Sequence, residues 1–303
     1  MEIRTLRYFL AAAREENMTR AAELLHVTQP TLSKQLKSLE DELGKKLFTR
    51  HSFSIALTDE GVLLRNRAED LVSMADKIEQ EFLSLDDITG GNLYFGLAES
   101  CQIRYLAREI HAFKNKCPAL HYHITSGDTE QVTEKMDKGL LDFAVICEVP
   151  DERKYNYIVF PEADYFGAVF PDDLDLAEKE RITADDLAGR PLFCSQQSWE
   201  NDIRPWAKEK FSRLHLEGSF RLSYNGSMFA KEKLGILLTL NNLIDTSKES
   251  GLVFRPLAPP LEMKMYLIWN KYQSFTPAAD RFLSQVKLSF TKIRSTLTDG
   301  HPD

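Results

Sequence analysis

The chain has 303 residues, enough for two or three domains with their own cores, and a formal charge of −8. An acidic balance of that size excludes a bulk nucleic-acid packing protein. No N-terminal apolar run resembles a signal peptide and no stretch of about 18 apolar residues spans a membrane, so the cytoplasm is the expected compartment, with no membrane partner.

Leu6, Phe9, Leu10 and Ala13 mark a first helix. A second carries Ala21, Ala22, Leu24 and Leu25, capped by Thr19 or Asn17, and its small alanines let two helices cross closely. In a third, Leu32, Leu36, Leu39 and Leu43 recur at steps of four, three and four, one stripe of an α-helix. Thr28 suits its N-cap and Pro30 its first turn, where a missing N–H costs nothing. With the stripe facing a core, Gln29, Thr31, Ser33, Lys34, Gln35, Lys37 and Ser38 face outward. Gln pairs bidentately with adenine, Lys reaches guanine edges or phosphates, and hydroxyls serve either role. The start of the second helix of such a pair is where base edges are met. A plain solvated helix face has the same composition, and the spacing alone leaves both readings open.

Charge by region agrees with a DNA contact. Residues 1–57 hold nine Lys/Arg and seven Asp/Glu, a net +2, whereas residues 58–90 hold three and nine, a net −6. Within 58–87, Leu64, Ala68, Leu71, Ala75, Ile78, Phe82 and Leu85 follow unbroken steps of four and three, a heptad seam that wants a partner helix, from its own domain or from another subunit. Thr58 caps it, and Asp59 and Glu60 suit its positive start. The Gly90-Gly91 pair then breaks the helix.

From Asn92 strands and helices alternate. Leu93–Leu97 reads as a strand, Ile103, Leu106, Ile110 and Phe113 as a helix, and Leu120, Tyr122 and Ile124 as a half-buried strand. A helix over about 129–139 and a strand at 143–146 complete a βαβαβ order, which implies a mostly parallel, doubly wound sheet. A second apolar group starts near Tyr165–Phe170, and a helical turn at 184–188 leads into a strand ending at Cys194. Trp199–Phe211, Phe220–Tyr224, Gly235–Leu240 and Gly251–Leu257 continue the alternation. Tyr266–Trp269 is a late strand, and Phe282, Val286, Phe290 and Ile293 lie on a terminal helix.

A cleft is expected outside the carboxyl ends of the parallel strands. Hydroxyls and amides sit at four junctions there: Ser100 and Gln102, Asp128 and Thr129, Ser195 to Gln197, and Asn225-Gly226-Ser227. Exposed N–H groups and hydroxyls at helix starts suit carboxylates or other small anions; each Ser or Thr can equally be capping its own helix. The candidate effector-binding residues are Ser100, Gln102, Thr129, Phe166, Ser195, Asn225 and Ser227, with Ser100 and Thr129 foremost. Arg104 is a candidate cation, but none is clearly committed to the cleft.

The four cysteines, Cys101, Cys117, Cys147 and Cys194, show no metal-ligand spacing and read as thiols, so no metal is expected. Cys101 beside a helix start favours a thiolate, which sets a redox role against an ordinary small side chain. His121 and His123 share one strand face without further ligands. No P-loop, GxGxxG, GxSxG or HExxH motif is present, so neither catalysis nor a cofactor is expected.

Six stretches in fixed order, Leu6–Phe9, Arg20–Leu25, Thr28–Leu36, Leu39–Gly44, Leu47–Arg50 and Leu57–Gly61, resemble the LysR-type transcriptional regulators. The resemblance implies a winged helix-turn-helix over 1–58, a linker and dimerisation helix over 59–90, and an effector-binding domain over 91–303. That domain is α/β, two-lobed and similar to periplasmic binding proteins, with lobe one at 91–161 and 266–303 and lobe two at 162–265. It also implies DNA contacts from Gln29, Pro30, Ser33 and Lys34 in the groove and Arg50 near the backbone; Thr28, Thr31 and Lys37 complete the candidate interface. The stretch His51-Ser52-Phe53-Ser54 departs from the family's Arg- and Gly-rich wing, so a weaker wing contribution is expected. The implied protein is a sequence-specific regulator reading an inverted repeat of double-stranded DNA as a homodimer or homotetramer. Its small-molecule effector is expected in the organic-anion class, and RNA polymerase is a candidate partner. The alternatives are a ligand-independent regulator and a solute-binding or enzymatic domain tethered to DNA.

Overall fold

The computed structural model describes residues 1–51, 54–83, 85 and 90–299. The chain divides into two compact units, Met1–Asp86 with Lys138–Leu140, and Asp87–Asp137 with Leu141–Asp303.

The first unit is built from α1 (Ile3–Glu15), α2 (Met18–Leu24), α3 (Gln29–Leu43), a two-stranded wing of β1 (Phe48–Arg50) and β2 (Ile55–Leu57), and α4 (Asp59–Leu83). Its core joins Leu6, Phe9 and Ala12 of α1 to Ala21 and Ala22 of α2, Leu32, Leu36 and Leu39 of α3, and Ala68 of α4. Two residues of the expected stripes depart from it. Leu43 and Leu24 are exposed, because each ends its helix beyond the reach of the next element. Asn17, not Thr19, caps α2, accepting from the Thr19 and Arg20 amides at 2.9 and 3.1 Å.

A buried carboxylate organises the wing. Glu40 accepts from the Leu47 amide at 2.9 Å, the Phe48 amide at 3.4 Å and Lys46 Nζ at 2.8 Å. Burial alone would raise its pKa, yet these donors hold it below the usual carboxylate range. Thr58 caps α4 through the Gly61 amide at 3.0 Å. A Cβ on Gly61 would lie 2.2 Å from the Leu47 carbonyl oxygen, so only glycine allows this approach. Of the seam, Ala68 is buried and Leu64 packs on the core, whereas Leu71, Ile78 and Phe82 on α4, and Leu85 beyond its end, are exposed. The remaining residues of 58–90 at 84 and 86–89, and the wing residues Ser52 and Phe53, lie outside the described residues.

The second unit holds two sheets. The first comprises β3 (Gly90–Leu97), β4 (Ala119–Ser126), β5 (Phe143–Ile146), β6 (Tyr155–Val159) and, from late in the chain, β13 (Tyr266–Asn270), with α5 (Ile103–Lys116) and α6 (Thr129–Asp137) as crossovers. The second comprises β7 (Asp164–Pro171), β8 (Pro191–Cys194), β9 (His215–Ser219), β10 (Ile236–Leu240), β11 (Leu252–Pro256) and β12 (Glu262–Met263). Its helices are α7 (Ala184–Leu187), α8 (Gln196–Ser198), α9 (Arg204–Ala207) and α10 (Ser223–Lys231); α11 (Pro277–Asp299) ends the chain. Strand orders are β4-β3-β5-β13-β6 and β11-β7-β10-β8-β9, with β12 on β7.

Each sheet mixes parallel and antiparallel pairs, which corrects the expectation of mostly parallel strands. In the first, β4, β3 and β5 run parallel while β13 is antiparallel to β5 and β6; in the second, β9, β8 and β10 run parallel while β7 is antiparallel to β10, β11 and β12. The same strand–crossover–strand trio, with its first strand in the middle, therefore occurs twice. Other corrections are local. β4 lies at a sheet edge, so only Leu120 is buried and Tyr122 and Ile124 are exposed. Pro205 and the left-handed backbone at Lys208 break Trp199–Phe211 into short turns around α9. The stretch 220–224 is not a strand: β9 ends before it and α10 starts within it. Gly90 and Gly91 open β3, with Gly91 at φ +128°.

Candidate functional site

Two sites carry the candidate chemistry, one in each unit. In the first, Thr28 Oγ1 accepts from the Thr31 amide at 3.4 Å and hydrogen-bonds Thr31 Oγ1 at 2.8 Å, fixing the start of α3. Gln29, Pro30, Thr31, Lys34, Gln35, Lys37 and Ser38 are exposed, and Ser33 is half-buried. Arg50 Nη2 of β1 donates to Ser33 Oγ at 3.3 Å, so the wing cation stands beside the exposed face of α3. The fold thus brings Thr28 to Lys37 and Arg50 onto one surface of polar, cationic side chains.

In the second unit a cavity of about 870 Å³ opens where the carboxyl ends of β3, β4, β5, β8, β9 and β10 meet, the crevice position expected of open α/β sheets. Thr129, Phe166 and Ser195 line it. Gln197 spans it, its Nε2 donating to Thr129 Oγ1 at 3.2 Å and Glu148 Oε1 at 2.9 Å, and Asn201 Nδ2 reaches the same Glu148 oxygen at 2.9 Å. On another wall the Ser223 amide donates to Glu99 Oε2 at 2.7 Å, while Thr239 Oγ1 and Ser223 Oγ pair at 2.9 Å.

The other four candidate effector residues are placed elsewhere. Ser100 Oγ donates to Asp164 Oδ2 at 2.5 Å and Gln102 Nε2 to Asp164 Oδ1 at 2.8 Å. Both are buried behind the cavity, committed to a carboxylate at the start of β7. Ser227 is buried against its own helix, donating to the Tyr224 carbonyl at 2.7 Å, and Asn225 is exposed. Because α10 begins at Ser223, the residues of its junction that face the cavity are Phe220, Arg221 and Ser223. Arg104 pairs with Glu162 and does not line the cavity.

Outside the candidate effector residues, the cavity lining is rich in acids. Glu99, Asp128, Glu130, Glu148 and Glu200 line the cavity, with Arg221 as the one basic lining residue among the described residues. Arg204 pairs with Glu200 at 2.6 Å, and Arg221 Nε lies 4.0 Å from Asp128 Oδ2. Burial, reinforced by Glu148, pushes the nearby Asp202 carboxyl up to about 6.

The four cysteines are free of disulfides. Burial and the Asp164 carboxylate, which accepts from Cys101 Sγ at 3.0 Å, push Cys101 up to about 11, overriding the helix start expected to favour a thiolate. Burial raises Cys147 as well. Among the described residues no group of three His, Cys, Asp or Glu side chains is placed to hold a metal, and no helix is long and apolar enough to cross a membrane.

Residues 3–62 match the model of the bacterial regulatory helix-turn-helix proteins of the LysR family, and residues 88–290 match the LysR substrate binding domain. The chain belongs to this family, which places it among transcription regulators rather than enzymes. Among relatives, a hydrogen peroxide-inducible genes activator of Pectobacterium carotovorum subsp. carotovorum is 30% identical over 193 residues; the match spans 64% of this chain and 64% of that protein. The Hca operon transcriptional activator HcaR of Escherichia coli (strain K12) is 27% identical over 299 residues, 95% of this chain and 97% of its own. The full-length CbnR structure in complex with its target DNA shares the fold, with a TM-score of 0.74 at 18% identity over 95% of this chain and all of that one.

Proposed function

We propose that the protein is a DNA-binding transcription regulator that reads an inverted repeat through α3 and answers to a small molecule held in the cavity of its second unit. The observation that carries this reading is the start of α3, capped by Thr28 and presenting Gln29, Thr31, Ser33, Lys34 and Lys37 beside Arg50. Gln29 and Lys34 take base edges, whereas Lys37 and Arg50 take phosphates. The uncharged stretch around His51 leaves the wing a smaller share.

The exposed Leu71, Ile78 and Phe82 on α4 favour a pairing with the same helix of a second copy. One recognition helix reads too few bases, and a symmetric pair matches an inverted repeat. In the second unit, exposed Tyr122 and Ile124 on β4 and Tyr224, Met228 and Phe229 on α10 offer apolar area for a further contact that completes a tetramer. A ligand shifts such an assembly by no more than its differential affinity for the two arrangements. The peroxide response of the Pectobacterium relative is not carried over: Cys101 Sγ donates to Asp164 at 3.0 Å, and burial raises both Cys101 and Cys147.

Footprinting the full-length protein on the DNA upstream of its own gene tests the reading. Protection of two half-sites one or more helical turns apart supports it; a single protected half-site would rule out the symmetric dimer.

A further inference from the structure

The cavity was expected to receive an anion at its helix starts, but at three of those starts the protein already supplies an acceptor to one of the amides. At α10 the Ser223 amide is taken by Glu99 Oε2 at 2.7 Å. At α6 the Gln131 amide is taken by Asp128 Oδ1 at 2.9 Å. At α8 the Ser198 amide is taken by Ser195 Oγ at 3.1 Å. An incoming carboxylate would have to displace these acceptors and then lie against other carboxylates, paying repulsion in a partly desolvated space.

The walls carry the complementary charge. Glu99, Glu130 and Glu148 have no cationic side chain within 4 Å among the described residues, whereas Glu200 is paired to Arg204 and Asp128 faces Arg221. Both amide donors to Glu148 go to Oε1, which leaves Oε2 without a protein partner among the described residues. The acids are spread over several junctions and form no three-ligand group, so a single metal ion does not match them. Phe166, Leu238 and Leu240 supply an apolar wall for a carbon skeleton.

We propose that the effector is a small organic cation, a primary ammonium or guanidinium compound with an alkyl body, whose charged head is taken by Glu148 with Glu99 and Glu130 around it. This rests on the reading of the cavity as the effector site and narrows the class of molecule it takes. Ammonium and guanidinium groups make charge-assisted hydrogen bonds to a carboxylate while their stems pack on apolar wall.

The test is isothermal titration calorimetry of the full-length protein with agmatine and 1,4-diaminobutane, against succinate, benzoate and calcium chloride at matched ionic strength. The expected result is saturable binding of agmatine or 1,4-diaminobutane, one per chain, weakened at least tenfold in Glu148→Gln. That variant keeps the Oε1 acceptor and so keeps the bonds from Gln197 and Asn201. Glu130→Gln, on an exposed side chain, is the second variant and is expected to weaken binding by a smaller factor. Saturation by succinate, benzoate or calcium in place of the amines overturns the proposal, as does binding of no probe, or amine binding that Glu148→Gln and Glu130→Gln both leave unchanged. Footprinting on the same samples separates the two levels. Protection of the inverted repeat with no amine binding removes only the cation, whereas loss of sequence-specific protection removes the regulator reading itself.

Discussion

Glu99 Oε2 accepts the backbone amide of Ser223 at 2.7 Å, joining the turn after β3 to the first residue of α10, 124 positions along the chain. The bond ties the two sheets of the second unit together across the cavity. Replacing Glu99 by Ala leaves the amide without that acceptor and removes one cross-sheet tie, a loss of about 1–3 kcal/mol for a hydrogen bond to a charged group. Hydrogen exchange at the Ser223 amide is expected to quicken in Glu99→Ala, and unchanged exchange would mean that water replaces the carboxylate without cost.

Ser100 and Thr129, paired candidates in the sequence, now separate. Ser100, Cys101 and Gln102 all donate to the buried Asp164, so Asp164→Ala leaves three donors unsatisfied and is expected to lower stability by about 3 kcal/mol or more. Ser100→Ala is expected to lower the melting temperature more than Thr129→Ala does. Thr129→Ala is expected to weaken effector binding, since its hydroxyl lines the cavity and meets Gln197. Parallel melting curves and ligand titrations check both, and the reverse pattern would return Ser100 to the cavity wall.

Glu40 sets an acid limit on the first unit. Its folded pKa lies below its ordinary 4.5 because Lys46 and the Leu47 and Phe48 amides favour the charged form against burial. A depressed carboxylate contributes stability that is full above its unfolded pKa and is lost as pH falls through the folded value. Glu40→Gln is therefore expected to destabilise the protein at pH 7 and to flatten its stability profile below about pH 4.5. Chemical denaturation at a series of pH values measures both effects.

Asp202 acts in the opposite sense. Burial holds its carboxyl at about 6, above the ordinary 3.8, so between those values the folded chain keeps a proton that the unfolded chain has lost. Stability from this group falls as pH rises through that window. A fully enclosed carboxyl with this shift would cost about 3 kcal/mol at neutral pH; screening of its exposed part brings the expected gain from Asp202→Asn to about 1 kcal/mol. The gain is expected above pH 6 and is expected to vanish below about pH 4, and a pH-independent difference would remove titration as its cause.

The first unit was more legible in the sequence than the second for a physical reason. The stripe of Leu32, Leu36 and Leu39 and the Thr28 cap are local patterns that a helix must show. Leu43 and Leu24 deceived because burial at a helix end depends on what packs beyond it. The strands of the second unit were readable from apolar runs, but parallel and antiparallel neighbours look alike in such runs, so the mixed sheets were not. In the cavity, hydroxyls drew attention as donors at helix starts, while Glu99 and Asp128 stood in the same strand-to-helix turns and Glu148 in the loop from β5 to β6. A carboxylate directly after a strand was a usable signal. Which amide it would satisfy was not, because Ser223 is far away in sequence. Ser100 likewise had the right position and a partner, Asp164, that only the fold supplies.

The most direct measurement is a fluorescence-anisotropy titration of the full-length protein, Gln29→Ala and Lys34→Ala on the protected upstream DNA and on a scrambled duplex, at two salt concentrations. If α3 reads bases, each substitution costs about 1–3 kcal/mol on the upstream DNA, and the preference over the scrambled duplex shrinks at both salts. Equal affinities for the two duplexes in the unsubstituted protein, or an undiminished preference in both variants, would contradict sequence reading by the start of α3.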